Sequence, residues 1–329
     1  MPFRLRLTLI FFAVLLVTLV TVPLIVPVPE LTTVPPRTLA GAGDAFADVD
    51  GVELRYTDVG EGPPTLVLLH GFGSSLFSWR NVTERFGERA RVVAFDRPGF
   101  GLSERPVVTE GQNGGQNPYT QAGQVDLTVR LLDALNIDNA VLVGHAAGAA
   151  VAVEVALTNP ERVAGLVLVS PALTSGGPPG WVRALYNTPQ ADRMGPYLMR
   201  QFGGEPGLDL LRRSYADPER LTDADIEGYR LPLQADGWDR ALWEVTKATR
   251  PGDLYPRLTE LDVPTLVVSG EADELVPPSE SERAAGLVEG GEYRSLADCG
   301  HAPQEECPVR FLEVVTPWLD TLQGNPFAN

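Results

Sequence analysis

Residues 144–148 read Gly144-His145-Ala146-Ala147-Gly148. This is the frame of a nucleophile elbow, G-x-S-x-G, in which a sharp strand-to-helix turn lifts one side chain above a sheet. The lifted side chain here is the methyl group of Ala146. A methyl cannot attack a carbonyl carbon or carry a covalent intermediate. The chain has 3 histidines, His70, His145 and His301, and each sits in a Gly-containing motif. The sequence therefore describes an enzyme, a disabled enzyme, or a protein that reuses an enzyme's fold.

An elbow needs a strand before it and a helix after it. Ala140 to Gly144 is an apolar run of the kind a strand buried on both faces requires, and Ala147–Thr158 is a helical pattern. Thr65 to His70, Arg91 to Phe95, Val163 to Ser170 and Val263 to Ser269 repeat the strand pattern, and Gln121–Leu135 is a second helical pattern. Val52 to Val59 is a strand after the turn Asp50-Gly51. Strands alternating with helices predict an α/β fold with a mostly parallel sheet covered on both faces. The alternation stops between residues 172 and 253. That stretch opens with a Ser/Gly/Pro run and carries Trp181, Tyr186, Tyr197, Phe202, Tyr215, Tyr229, Trp238 and Trp243 among helical patterns. It reads as a helical lid over the carboxyl ends of the strands, where open α/β sheets bind ligands. Its aromatic stripe reads as the lid's own core. Asn113-Gly114-Gly115 reads as part of a polar loop.

Four further motifs complete an ordered series. His70-Gly71-Phe72-Gly73 and Asp96-Arg97-Pro98-Gly99-Phe100-Gly101 precede the elbow; Gly270 to Pro277 and Asp298-Cys299-Gly300-His301 follow it. In this order and spacing the chain, over about Asp48 to Leu322, resembles the α/β-hydrolase family, in its esterase- and lipase-like serine hydrolase branch. The resemblance implies a triad in the order 146, 273, 301. His301 is then the general base, and Asp273 orients its ring and stabilises the imidazolium. The backbone N–H groups of Phe72 and Ala147 form the oxyanion hole. Asp298 is the substitute acid if Asp273 is only a surface carboxylate. His70 and His145 read as structural, and Asp96 as a turn residue.

In the family, members with an aspartate nucleophile usually carry Trp after it, where this chain has Ala147. A serine is therefore what Ala146 replaces by that resemblance. Ser74, Ser75 and Ser170 offer no clear substitute. Three readings stay open. The serine was replaced deliberately; or a natural chain lost it and now binds or scaffolds; or a natural enzyme works on water through His301 and Asp273. The ligand class implied is a moderately apolar ester or related carbonyl compound, bound under the lid.

The chain has 329 residues, 44% hydrophobic and 8% aromatic, enough for a large packed core. A net charge of −17 repels nucleic acid, and that partner is excluded. Neither a dinucleotide nor a phosphate-loop motif is present, so no organic cofactor is expected. Two cysteines, Cys299 and Cys307, bracket His301. They fit a disulfide or two separate thiols, and no metal site is expected from them.

Leu7 to Val28 carries no charge, and Arg4 and Arg6 precede it. Residues 1–28 read as a membrane anchor with the globular part outside the cytoplasm, a cleaved signal peptide being the alternative. Residues 29–45, rich in Pro, Gly, Ala and Thr, read as a linker. The core is expected over 46–171 and 254–325, interrupted by the lid at 172–253.

Overall fold

The computed structural model describes residues 3–107, 116–176 and 180–323. The expected loop at Asn113-Gly114-Gly115 lies outside them, as do Gly177, Pro178 and Pro179 of the Ser/Gly/Pro run. The chain starts with helix α1 (Phe3–Ile25). Then come β1 (Ala45–Val49), β2 (Val52–Val59), β3 (Thr65–Leu69), α2 (Thr83–Gly87), β4 (Arg91–Phe95), α3 (Gln121–Ala134), β5 (Ala140–His145), α4 (Ala147–Thr158) and β6 (Val163–Val169). The insertion follows, with β7 (Thr174–Ser175), α5 (Gly180–Tyr186), α6 (Pro189–Met199), α7 (Glu205–Arg213), α8 (Asp223–Arg230), α9 (Trp238–Ala248) and β8 (Gly252–Asp253). The core resumes as β9 (Thr265–Gly270), α10 (Pro278–Leu287), β10 (Glu292–Leu296), α11 (Pro303–Glu306) and α12 (Pro308–Gln323).

Eight strands form one sheet in the order β1-β2-β4-β3-β5-β6-β9-β10. All neighbours from β4 to β10 run parallel; β1 and β2 pair antiparallel with each other, and β2 with β4. The β3, β5 and β9 runs are apolar along their length because helices cover both faces. One apolar layer includes Leu69, Phe95, Leu142, Val151 and Leu168. The opposite layer includes Leu68, Trp79, Val143, Phe311 and Trp318. β3, β5 and β9 run parallel, with β6 between the last two, so their carboxyl ends lie on one edge of the sheet, and the loops of the candidate site leave from those ends.

The insertion leaves and re-enters through a neck. β7 and β8 pair antiparallel, Thr174 with Asp253 and Ser175 with Gly252. The sequence pattern did not reveal this ribbon, because two residues per strand carry no periodicity.

Three expectations need correction. First, α1 runs Phe3–Ile25 and stops short of the expected boundary at residue 28; among its described side chains no apolar one is buried in the protein. Second, residues 29–45 are not a free stalk. Val34 bridges to Ala235, with Val34 N–H donating to the Gln234 carbonyl and Asp236 N–H to the Val34 carbonyl, both at 2.9 Å. Thr33 donates to Asp236 at 2.6 Å, and Arg200 donates to the Pro29 carbonyl. Third, the aromatics of the insertion are not all its core. Tyr215, Trp238 and Trp243 are buried, but Trp181, Tyr197 and Phe202 are exposed.

Candidate active site

The turn expected to be the elbow is sharply formed around Ala146. Ala146 takes φ 48° and ψ −114° between β5 and α4. A residue with a Cβ avoids this region at a cost of about 1–3 kcal/mol, and holds it only when its surroundings dictate it. Those surroundings are close packed. A Cβ on Gly144 would fall 2.5 Å from the Ala149 Cα, and one on Gly148 would fall 2.3 Å from the Leu69 carbonyl oxygen. Strand, turn and helix can therefore meet only with glycine at both positions. Ala146 N–H donates to the Val169 carbonyl at 2.9 Å, and its own carbonyl accepts from Ala149 and Ala172.

His301 and Asp273 meet as the sequence series predicts. His301 Nδ1 donates to Asp273 Oδ2 at 2.9 Å. The other oxygen of Asp273 accepts N–H bonds from Leu275 at 2.8 Å and Val276 at 2.9 Å. Burial works to raise the Asp273 pKa, but His301 and these two N–H groups together hold it below the usual carboxylate value. The carboxylate is thus ionised and fixed, and the proton sits on Nδ1. In the neutral form of such a ring Nε2 is the acceptor. Asp298, the substitute acid, is exposed and faces Arg310 instead.

The N–H of Ala147 opens α4, and that of Phe72 leaves the β3 loop; neither donates to another group among the described residues. The two loops touch, since a Cβ on Gly71 would lie 3.4 Å from the Ala146 Cβ.

The remaining histidines hold loops. His70 Nδ1 donates to the Gly71 carbonyl at 2.7 Å, and its Nε2 accepts the N–H of Arg97 at 2.9 Å. His145 donates from Nε2 to the carbonyl of His301 at 3.0 Å. Burial pushes the pKa of both rings far down, that of His145 to about 3 with His301 alongside adding to the shift. Asp96 is buried and caps two turns, accepting from Leu76 and Leu102 N–H at 2.7 Å each, while Arg55 bonds it at 3.1 Å.

Two other carboxylates were not legible from the sequence pattern. Glu305 is buried beside the cavity and binds Arg80 and the Tyr229 hydroxyl, both at 2.5 Å. Glu306 accepts the N–H groups of Gly300 (2.7 Å), Asp217 (2.9 Å) and Ala216 (3.0 Å). It therefore ties the His301 loop to the insertion. The same loop is closed by a disulfide between Cys299 and Cys307. Of the two readings open for these cysteines, the structure has the bonded one.

A cavity of about 400 Å³ joins these groups. Ala146, Phe72 and His301 line it from the core, and Phe202, Leu208 and Trp238 from the insertion. Apolar walls with a few convergent polar groups suit a small organic ligand.

A family model described as alpha/beta hydrolase fold matches residues 64–308. The chain belongs to the α/β-hydrolase fold family. It is 33% identical over 280 residues to a 2-hydroxy-6-oxononadienedioate/2-hydroxy-6-oxononatrienedioate hydrolase of Paraburkholderia xenovorans, covering 82% of this chain and 91% of that one. Among solved structures, a thermophilic esterase from Thermogutta terrifontis is 25% identical with a TM-score of 0.69, over 85% of this chain and 99% of its own. A membrane phospholipase A gives a TM-score of 0.66 at 23% identity, over 98% of this chain and 99% of its own. At that identity the likeness is one of fold.

Proposed function

We propose that this chain is a membrane-anchored α/β-hydrolase-fold protein of serine-esterase type, which binds a moderately apolar ester or related carbonyl ligand under a lid formed by residues 172–253. With Ala146 at the nucleophile position it turns that ligand over very slowly. The observation that carries the reading is a complete surround without its centre. The Asp273–His301 pair is formed, the N–H groups of Phe72 and Ala147 have no partner among the described residues, and Ala146, Phe72, Ala147 and His301 line one cavity. Losing the nucleophile of such a triad removes about 10⁶-fold in turnover, while oxyanion hole and binding retain about 10³–10⁴ over water.

The residual reaction uses water. His301 Nε2 takes one proton as the water oxygen bonds to the carbonyl carbon. The carbonyl electrons move to the oxygen held by Phe72 and Ala147 N–H. They return as the leaving group departs, and His301 hands it the proton. The relative from Paraburkholderia xenovorans is named for an oxo-acid, and the Thermogutta structure for an esterase. Both names fit a carbonyl carbon as the point of attack.

Placement outside the cytoplasm rests on α1, with Arg4 and Arg6 in its first turn, and on the Cys299–Cys307 disulfide, which oxidising compartments sustain. The reading is tested by assaying short and medium acyl esters with the parent and Ala146→Ser, both in detergent. A large gain that disappears with His301→Ala supports it. No gain, in a variant folded like the parent, overturns it and favours a binding protein.

A further inference from the structure

The face of the insertion that carries α1 has the opposite charge from the rest of the molecule. Residues 180–203 and 237–250 hold six basic and three acidic side chains, in a chain of net charge −17. The three carboxylates are already used. Asp192 and Glu244 bind Arg240 and Lys247 at 2.8–3.0 Å, and Asp239 binds Arg200 at 2.8 Å. Arg183 and Arg250 have no carboxylate partner among the described residues. Arg250 donates only to the carbonyls of Lys247 and Thr249. Both arginines line a second cavity of about 240 Å³, with Asn187 and Lys247.

Beside these cations lie apolar side chains in contact with solvent. Trp181 is 72% exposed, Leu185 52% and Leu198 50%. A tryptophan so open to water on the helix that carries Arg183 has no explanation in the packing of this chain. Its position relative to α1 supplies one. Gln190 donates to the Val20 carbonyl and Arg193 to the Val26 carbonyl, both at 3.1 Å. The start of α6 is thus held against the last turns of α1, and α5 directly precedes it. At 1.5 Å per residue α1 is about 34 Å long, which matches a hydrocarbon core of about 30 Å. With Arg4 and Arg6 at one boundary, Val20 to Val26 lie at the other. That depth is where tryptophan and arginine meet headgroups.

We propose that α5, the start of α6 and the end of α9 form a docking surface for the phosphate of an anionic phospholipid, bound by Arg183 and Arg250, with Trp181 and Leu185 in the acyl region beside it. The surface lies apart from Ala146 and needs no catalysis. It rests on α1 being a membrane anchor. A lipid rather than a soluble anion is the occupant because Arg183 shares α5 with the exposed Trp181 near the end of α1, and Arg250 lines the same cavity as Arg183. The contact would also fix how the 400 Å³ cavity faces the bilayer.

The test uses the full chain in phosphatidylcholine vesicles containing an equal, small fraction of brominated phosphatidylglycerol or brominated phosphatidylcholine. Bromine quenches tryptophan on contact. A basic side chain near an anionic surface favours it by about fivefold, so two give a preference of about 30-fold for the anionic quencher. The preference should vanish in Arg183→Gln/Arg250→Gln, and the quenching itself should fall in Trp181→Phe. Equal quenching by the two lipids overturns the proposal. So does a preference that survives the double substitution, or one that inorganic phosphate in the buffer abolishes, which would mean a site for soluble anions. Flotation of the same vesicles reads the anchor separately. A parent chain that fails to float overturns the anchor and this surface together, whereas a floating chain without lipid preference overturns the surface alone.

Discussion

The imidazole of His145 donates from Nε2 to the backbone carbonyl of His301 at 3.0 Å, and the two rings lie 4.9 Å apart. The residue before Ala146 thus supports the residue expected to act as base. No partner faces Nδ1 of His145 among the described residues, and Gly71 packs against it. A second proton there would be buried and unpaired, which is the physical reason this ring stays neutral.

The consequence is a defined pH response. The His145 pKa is lowered from 6.5 to about 3. Between those values the unfolded chain binds a proton that the folded chain refuses, so stability rises with pH and falls on acidification. The slope approaches about 1.4 kcal/mol per pH unit for one such group. His70, also pushed well down by burial, acts in the same direction. Urea unfolding at descending pH should show this slope, and His145→Gln should flatten it while keeping a donor for the His301 carbonyl. An equally steep slope in the variant would remove His145 as its source.

Restoring one oxygen should restore a reaction. Ala146→Ser is expected to raise ester hydrolysis by about 10⁴–10⁶-fold, the reverse of removing a triad nucleophile. In that background Asp273→Asn should lose about 10⁴-fold, because the amide stabilises the wrong imidazole tautomer. The pair is read by kcat/KM on the same ester. A gain from serine that Asp273→Asn leaves untouched would mean that His301 is oriented by something else.

What the sequence made legible follows from what each pattern requires. β3, β5 and β6 stood out as apolar runs because helices cover both their faces, and the elbow stood out because glycines at 144 and 148 are sterically required. β10 was missed. It is an edge strand, and Arg294 and Ser295 on it are exposed, so its pattern is that of a loop. The docking of the 29–45 segment was not foreseen because it is made of two backbone bonds at Val34 and scattered side-chain bonds at Thr33, Arg37 and Asp44, and neither leaves a periodic trace. The aromatics at 181, 197 and 202 were assigned to a core by type alone, although their exposure is what sets them apart. Arg80 and Glu305 are 225 residues apart, and only the fold brings them together.

The Arg80–Glu305 pair lies within the core wall of the cavity and meets the insertion through Asp225 and Tyr229. Burial raises the Glu305 pKa, opposed by the Arg80 charge and the Tyr229 hydroxyl. Arg80 also binds Asp225 on α8 at 2.6 Å. Arg80→Ala leaves a buried carboxylate without its cation and should cost about 3–5 kcal/mol. Arg80→Met/Glu305→Leu removes both charges and should recover most of that loss. Denaturant midpoints for the two singles and the double give the coupling. A double variant no more stable than Arg80→Ala would show that the pair is not the element that matters there.

The disulfide gives the last prediction, because the loop it closes is the loop that carries His301. Cys299 and Cys307 are 8 residues apart, and both are buried. Chain entropy for so short a loop assigns the bond about 2–3 kcal/mol. Glu306 inside the loop already fixes Gly300 and two N–H groups of the insertion. Loss of the bond therefore loosens His301 and the insertion at the same time. Cys299→Ala/Cys307→Ala should lower the melting temperature. In the Ala146→Ser background it should also reduce kcat more than it changes KM, since the acyl pocket walls at Phe202 and Leu208 lie outside the loop. Reductant should lower the melting temperature of the parent only once unfolding exposes the sulfurs, and should leave the double alanine variant unchanged. A parent and variant that melt together in the absence of reductant would show that Glu306 and the Asp273–His301 bond hold the loop without help from the disulfide.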